Sequence, residues 1–189
     1  MNKRKSFEKH IAFLRGINVG GHHKVPMLDL RKEMEKLKFK NIVTLLNSGN
    51  IIFDAVAGDA ENLETTLSEH LEKSFGFPIP VILRSAEMID GFVIDKPFED
   101  VLITKDIRLY VSFLRNDVET DLTLPWLSDD KSFRIICKKD KTIFSILDLS
   151  LSQTPKAMGV LEKYYGKDIT TRNWNTIKRI KGKLENPSS

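Results

Sequence analysis

Apolar residues in the first half of the chain alternate between two patterns, one typical of strands and one typical of helices. Short apolar runs that are typical of strands occupy residues 10–15, 41–46, 50–54 and 79–84. Between these runs, apolar residues recur every three or four positions, as on one face of a helix: Met27, Leu30, Met34 and Leu37, then Leu63, Leu67, Leu71 and Phe75. The pattern predicts strand, helix, strand, strand, helix and strand, followed by a short helix that begins after Ser85.

Turn and cap signals fall between these elements. Pro26 suits the first position of the first helix, and the segment Asn47–Asn50 carries a hairpin signal between two strands. Asp59 is the predicted cap of the second helix, and Gly76 is its predicted end. The element boundaries that these turn and cap residues indicate agree with those that the spacing of the apolar residues indicates.

The second half of the chain follows the same order with less room. Residues 107–113 alternate between apolar and polar side chains, which predicts a half-buried strand. Residues 117–128 leave space for only a short helix. The remaining predicted elements are strands at 133–137, 142–147 and 168–171, a helix with Thr154 as its cap and Pro155 as its first residue, and a last helix over 173–185.

Two pairs of similar segments suggest an internal repeat. Ile11–Arg15 and Val111–Arg115 share the order β-branched, small, Phe, Leu, Arg. Leu83–Ser85 and Thr171–Asn173 each place an arginine and a helix-capping residue at the end of a strand. Because the two matches occur in the same order, they favour a duplication of one structural unit.

The repeated order of elements predicts an α+β fold. Strand, helix, strand, strand, helix, strand is the ferredoxin-like plan, so we expect a tandem duplication of two ferredoxin-like (βαββαβ) halves with a C-terminal helix. Residues 1–98 are the predicted first half, and residues 99–189 are the predicted second half with the C-terminal helix. The two halves are expected to join near residues 95–105.

Composition narrows the class of protein. A chain of 189 residues that is 41% hydrophobic can fill a core, and its apolar runs are shorter than the roughly 20 residues of a membrane-spanning helix. The single cysteine, Cys137, fits a reducing compartment, so we expect a cytoplasmic protein with no membrane association. The net charge of +4 comes from two basic ends, Lys3–Lys5 and Arg172–Lys183, around a slightly acidic body.

The segment Arg15–Lys24 is the strongest candidate site, because glycines and basic residues gather where a strand leads into a helix. In a purely structural interpretation, Gly16, Gly20 and Gly21 supply positive φ angles and Asn18 bonds to nearby backbone. In a functional interpretation, loop N–H groups, the helix start and the basic side chains of Arg15 and Lys24 hold a phosphate or carboxylate. The sequence leaves both interpretations open.

Known nucleotide-binding and catalytic fingerprints are absent from this region. A Walker loop that starts at Gly16 requires lysine where His22 stands, and a dinucleotide-binding loop requires glycine where Asn18 stands. His22 and His23 are adjacent and have no third ligand near them in sequence, so we expect no metal site. Ser48 lacks the flanking glycine pattern of a nucleophile elbow. We therefore predict no cofactor, identify no catalytic residue and leave enzymatic activity open.

Two residues outside the loop are further candidate ligand contacts. Asn50 lies at the end of the hairpin turn, where its amide can face a ligand. Arg172 precedes the predicted cap of the last helix, so it either pairs with an acidic residue or serves as a second anion ligand. Trp174, two positions later, is expected to anchor that helix in the core.

Four motifs in order carry a resemblance to a known family: Arg15–Gly21, Lys24–Met27, Ser48–Asn50 and Thr171–Asn175. On these motifs the chain resembles the uncharacterised bacterial family known as domain of unknown function 1697, over about residues 10 to 180. The resemblance implies an α+β protein built from two related halves, and it implies no activity.

The chain departs from that family at two places. Asn47 stands where such proteins usually have glutamine, and the pair His22 and His23 stands where they carry other polar or basic residues. The histidines are therefore poor candidates for a function that the family shares.

The leading hypothesis is a small cytoplasmic protein that binds a phosphate- or carboxylate-bearing partner at the Arg15–Lys24 loop. One alternative is a hydrolase or transferase that uses the same loop as a phosphate or oxyanion cradle. A second is nucleic-acid binding through the basic C-terminal helix, which would be strongly salt dependent. A third is a structural or partner-binding protein, in which the motifs only maintain the fold. The sequence specifies no oligomeric state.

Overall fold

The computed structural model describes residues 6–58 and 60–186 as an α+β protein with two antiparallel sheets and five helices. The α+β class predicted from the sequence is therefore confirmed. The predicted cap Asp59 and the basic segment Lys3–Lys5 lie outside the described residues. The chain forms two compact units: one takes the described residues up to Asp90 together with those from Leu184 onward, and the other takes Gly91–Lys183.

The first unit is built on a four-stranded sheet. Its strands are β1 (Phe7–Leu14), β2 (Lys40–Leu45), β3 (Asn50–Val56) and β4 (Val81–Ser85), and its helices are α1 (Met27–Lys36), α2 (Ala60–Phe75) and the start of α3 (Ala86–Ile94). The strands lie in the order β2-β3-β1-β4, so β1 pairs antiparallel with both β3 and β4. Leu30 and Met34 of α1 and Leu67 and Leu71 of α2 fill a core with the sheet.

The second unit contains a five-stranded sheet. Its strands are β5 (Ile107–Leu114), β6 (Trp126–Leu127), β7 (Phe133–Lys139), β8 (Thr142–Asp148) and β9 (Ile169–Asn173), and its helices are α4 (Thr154–Tyr165) and most of α5 (Trp174–Glu185). The strand order is β6-β7-β8-β5-β9, so β5 lies between β8 and β9 as β1 lies between β3 and β4. Leu161 and Tyr165 of α4 pack on Phe133 and Ile143 of the sheet.

Backbone hydrogen bonds recur at corresponding positions of the two units. Leu14 N–H donates to the carbonyl of Gly49 at 2.8 Å, and Leu114 N–H donates to that of Lys141 at 2.8 Å. In the neighbouring pair of strands, Ile11 faces Arg84 in one sheet, as Val111 faces Arg172 in the other. Arg84 and Arg172, which correspond to each other in the two similar sequence segments, therefore occupy the same position in their strands.

The segment between β5 and β7 differs from the prediction. A short helix was expected within residues 117–128, but this part of the described chain contains no helix. It ends instead in the two-residue strand β6, in which Trp126 faces Ile135 of β7. The segment is held by packing, because Val118, Leu122 and Leu124 lie against the core of the second unit.

Most of the predicted helix boundaries hold to within one residue. Gly76 adopts a positive φ of 80° after α2, and the Ser85 hydroxyl accepts a hydrogen bond from Met88 N–H at 3.2 Å. Helix α4 begins one residue earlier than predicted, because Gln153 is its N-cap and Thr154 lies inside it. The Thr154 hydroxyl instead lies 3.0 Å from the hydroxyl of Tyr110. Within residues 6–58 and 60–186, no helix combines the length and apolar character needed for crossing a bilayer.

Candidate functional site

The loop between β1 and α1 folds back on itself as a small hairpin. Gly20 and Gly21 have φ angles of 60° and 79°, and His22 N–H donates to the carbonyl of Val19 at 3.1 Å. Positive φ at both central residues is characteristic of a type I′ turn, which glycine adopts at little cost. Asn18 N–H then bonds to the carbonyl of His23 at 3.0 Å and closes the loop. Both glycines therefore have the positive φ angles that this turn requires.

The Asn18 side chain fixes the position of this loop. Its Nδ2 donates to the carbonyls of Val25 at 3.0 Å and Asn47 at 2.9 Å, and its Oδ1 accepts a bond from Val25 N–H at 2.9 Å. One amide therefore joins the loop to the start of α1 and to the turn after β2. Because both ends of the amide are bonded within the protein, Asn18 orders the site.

Asn50 is also bonded internally. It is completely buried, and its Nδ2 donates to the carbonyl of Leu45 at 3.0 Å and to the Ser48 hydroxyl at 2.9 Å. These bonds close the turn between β2 and β3, to which Asn18 is attached through Asn47. Asn50 therefore stabilises the turn between β2 and β3, and Asn18 attaches the loop after β1 to that turn.

Lys24 lies in a groove of about 400 Å³ at the start of α1, beside Gly21, Pro26, Met27 and Asn47. Its side chain is exposed, and among the described residues it forms no ion pair or side-chain hydrogen bond. The N-cap of α1 is Pro26, and no side chain caps the first turn. A cation and a helix start therefore face the same groove, where each favours a negative charge.

Arg15, Gly16 and His23 belong to the same loop but do not line this groove. Arg15 is half-buried at the end of β1, and its N–H donates to the carbonyl of Pro80 at 3.0 Å. The His23 ring stacks on Phe77 with 4.5 Å between centroids, and its Nδ1 lies 3.3 Å from the carbonyl oxygen of Gly16. Gly16 has a φ of 73°. His23 thus has a packing contact that the sequence did not indicate.

Arg172 lies in the second unit, on β9, and is only 8% exposed. Its Nη1 donates to the Thr170 hydroxyl at 2.8 Å and to the carbonyl of Thr171 at 2.9 Å. Burial lowers the pKa of Arg172 to about 10, so the guanidinium remains charged at neutral pH. The other candidate residues, from Arg15 to Asn50, all belong to the first unit.

Two further features of the second unit bear on chemistry. Burial raises the pKa of the half-buried Cys137, so its thiol is protonated at neutral pH and is a weak nucleophile. A cavity of about 520 Å³ lies beside Arg108 and Trp174, and the sequence reasoning missed it. The sequence feature that could have indicated this cavity is a group of basic residues around the apolar Phe98 and Ile103. These residues lie in the segment that was expected only to join the two halves.

Comparison with known proteins identifies the family. The family described as Protein of unknown function (DUF1697) matches residues 7–133, so the chain belongs to it and the resemblance seen in the sequence is confirmed. A solved structure, that of the conserved bacterial protein SP0830 from Streptococcus pneumoniae, is similar with a TM-score of 0.70 and 25% sequence identity. The match covers 95% of this chain and 99% of that chain. No curated protein matches.

Proposed function

We propose that this member of the DUF1697 family is a binding protein for a small phosphate- or carboxylate-bearing ligand, with its site at the Arg15–Lys24 loop. The observation that carries the proposal is the position of Lys24, whose ammonium group has no carboxylate partner in the described part of the chain. An anion in this groove would supply the missing counter-charge.

The residues of the loop divide into two roles in this proposal. Lys24 supplies the charge nearest to the ligand, and Arg15 adds a second positive charge at the end of β1. Gly16, Gly20 and Gly21 allow the loop to fold back, while Asn18 and Asn50 keep it in place through their internal bonds. For the buried Arg172 we propose a structural role within the second unit.

Binding is better supported than catalysis at this groove. A hydrolase or transferase requires a general base within hydrogen-bond reach of the reacting group. The residues that line the groove include Lys24, Asn18 and Asn47 but no histidine, aspartate or glutamate. The groove can therefore hold an anion, and it offers no group that would remove a proton from a nucleophile.

A thermal-shift experiment tests the anion site. Inorganic phosphate, glycerol 3-phosphate and citrate are added to the wild type, to Lys24→Gln and to Lys73→Gln, which removes one exposed charge from α2 of the same unit. A ligand at a hundred times its dissociation constant adds about 2.7 kcal/mol of stability. We expect at least one anion to stabilise the wild type and Lys73→Gln but not Lys24→Gln. Equal shifts in all three proteins, or none in any, would contradict the proposal.

The repeated architecture supports a proposal about the origin of the chain. The order β2-β3-β1-β4 and the order β7-β8-β5-β9 are equivalent, and the corresponding hydrogen bonds of Leu14 and Leu114 recur. We therefore propose a tandem duplication of ferredoxin-like halves, residues 1–98 and 99–189, in which the second copy has lost its first helix.

We also propose a cytoplasmic location. The chain has a single cysteine, Cys137, and so cannot form an internal disulfide. The protein would then require no oxidising compartment for folding. Fractionation of cells that produce the protein, with the protein detected by antibody, tests this location, which recovery from the cell envelope or the medium would contradict.

A further inference from the structure

A cavity in the second unit has the size of a ligand site. Its volume is about 520 Å³, and all of its lining residues belong to Gly91–Lys183. The segment that precedes β5, the start of β5 and the first turn of α5 form its walls. Small-molecule sites typically measure about 300–1,000 Å³, so this cavity is large enough for a ligand of mononucleotide size.

One wall of the cavity is aromatic. Trp174 is only half-buried, and its ring meets that of Phe98 edge-on, with 5.3 Å between centroids and an angle of 65°. Phe98 is in turn fixed against Phe144, with 6.0 Å between centroids. The indole is therefore held in place, and part of its surface remains available. A flat ring can stack on such a surface, and base–aromatic stacking is a common basis of nucleotide recognition.

The rest of the lining carries an excess of positive charge. Lys96 pairs with Glu99 at 3.1 Å, which leaves Lys105, Arg108 and Lys178. Within residues 6–58 and 60–186, none of these three has a carboxylate partner. Three cations without counter-charge at one cavity favour a ligand with more than one negative charge, as a phosphate monoester has.

Arg108 is the positioned member of this group. Its Nη1 donates to the carbonyls of Lys105 at 2.7 Å and Ile107 at 3.1 Å, so the main chain fixes the guanidinium. Two of its donors are used in this way, and the guanidinium group has five. The remaining donors can meet a phosphate in the planar geometry that arginine provides.

We propose that this cavity binds an organic phosphate with a flat aromatic ring, of the mononucleotide class. The ring stacks on Trp174, and the phosphate is held by Arg108 with Lys105 and Lys178. Inorganic phosphate would leave the apolar wall uncovered, and an uncharged ring would leave the cations without a counter-charge. A free nucleotide and a nucleotide of a single strand share this chemistry. None of the residues that line this cavity lines the Lys24 groove, and the proposal does not depend on that groove.

Fluorescence of Trp174 provides a direct test. The chain has two tryptophans, so Trp126→Phe leaves Trp174 as the only indole, and Trp126 does not line this cavity. We expect AMP and UMP to quench this fluorescence in a saturable manner. In the same background, the double substitution Lys105→Gln/Lys178→Gln is expected to weaken binding at least about tenfold, because two charge-assisted contacts are lost. Both lysines are exposed, so the fold should tolerate the change.

The matched control is the double substitution Lys73→Gln/Arg134→Gln. It removes the same charge from two exposed positions that do not line the cavity, and it should leave AMP affinity unchanged. Lys24→Gln should also leave it unchanged, which separates this site from the anion groove of the first unit. Calorimetry on the wild type with AMP checks the result without any substitution.

Partial ligands and an oligonucleotide complete the test. Adenosine lacks the phosphate and ribose 5-phosphate lacks the ring, so each should bind at least about tenfold more weakly than AMP. A ten-nucleotide oligoadenylate that binds more tightly than AMP, and loses this with Lys105→Gln/Lys178→Gln, would identify a nucleic-acid strand as the source of the nucleotide. Absence of AMP binding in both fluorescence and calorimetry would overturn the proposal. Equal loss in the control double variant would overturn it as well.

Discussion

Gly49 and Gly20 have similar backbones and very different surroundings. Their φ angles are 73° and 60°, in the left-handed region that costs other residues about 1–2 kcal/mol. A Cβ atom on Gly49 would lie 2.7 Å from Leu14 Cβ and 2.8 Å from Ile17 Cδ1, whereas one on Gly20 would meet nothing within 4 Å. We expect Gly49→Ala to lower the free energy of unfolding by about 3 kcal/mol, and Gly20→Ala by about 1 kcal/mol.

Urea unfolding followed by circular dichroism measures both changes. Because the conformational cost is nearly the same at the two positions, the difference between the variants reports the close packing of Gly49 on the end of β1. Equal destabilisation by the two substitutions would show that the backbone conformation alone accounts for the glycine at position 49.

The residues that shape the loop could be predicted more fully than their contacts. Glycines and asparagine in a short connection indicate positive φ angles, and Gly16, Gly20 and Gly21 adopt them. The two carbonyls bonded by Asn18 Nδ2 belong to Val25 and Asn47, and Asn47 is 29 residues away. A contact over that distance depends on the register of the β2–β3 hairpin relative to β1, and local sequence contains no information on it.

At the scale of elements, β4 lies at the edge of the first sheet and is covered from one side by α2. Leu83 N–H donates to the carboxylate of Glu64 at 2.7 Å, and Glu64 is 6% exposed. Edge strands present unpaired N–H groups, and here a buried side chain satisfies one of them. The neighbouring Arg84 has its pKa lowered to about 10 by burial, while the charge of Glu64 raises it.

Removal of the Glu64 carboxylate should therefore be costly. We expect Glu64→Ala to lower the free energy of unfolding by about 3 kcal/mol, because it leaves a buried N–H without its acceptor and removes the charge beside Arg84. Glu64→Gln keeps an acceptor and should cost less. Glu69→Ala, an exposed position on the same helix, is the control for loss of a glutamate. Similar stability of Glu64→Ala and Glu69→Ala in urea unfolding would contradict the assigned role.

The periodic elements were predictable because their burial follows from the sequence period. Helix α1 runs over Met27–Lys36 and buries Leu30 and Met34, as the spacing indicated. The structure of the segment 117–128 was not predictable in this way, because its apolar residues Leu122 and Leu124 pack without a regular backbone. Short apolar stretches near a proline carry a weak periodic signal, so a short helix and an irregular segment cannot be distinguished there.

At the scale of the whole molecule, the candidate sites lie where elements meet. The loop after β1 stood out in the sequence because its glycines and basic residues are consecutive. The cavity of the second unit joins Lys105 and Arg108 to Trp174 and Lys178, which are about seventy residues apart in the printed sequence. These residues come together only because β9 pairs with β5 and leads directly into α5. Their proximity therefore depends on the order of the strands in the sheet. The sequence pattern predicted the order of the elements along the chain, but it did not show that these residues would form a site.

The pH dependence of stability should reflect one buried histidine. His10 on β1 is 6% exposed and lies beside Phe53, with 5.8 Å between ring centroids. Burial lowers the pKa of His10 below its usual 6.5, although the charges of Glu8, Asp54 and Glu87 oppose this shift. Below pH 6.5 the unfolded chain therefore binds a proton at this position more readily than the folded protein does.

It follows that the contribution of neutral His10 to the free energy of unfolding is complete above about pH 6.5. This contribution is lost as the pH falls through the lowered pKa of the folded state. We expect the free energy of unfolding of the wild type to decrease between pH 6.5 and 5, by at most about 1.4 kcal/mol per pH unit from this group. His10→Gln cannot take up the proton, so the difference between the two proteins should narrow as the pH falls. Urea unfolding at half-unit steps from pH 5 to 8 measures this difference. Because the other histidines are common to both proteins, a difference that stays constant over this range would show that His10 has the same pKa in the folded and the unfolded state.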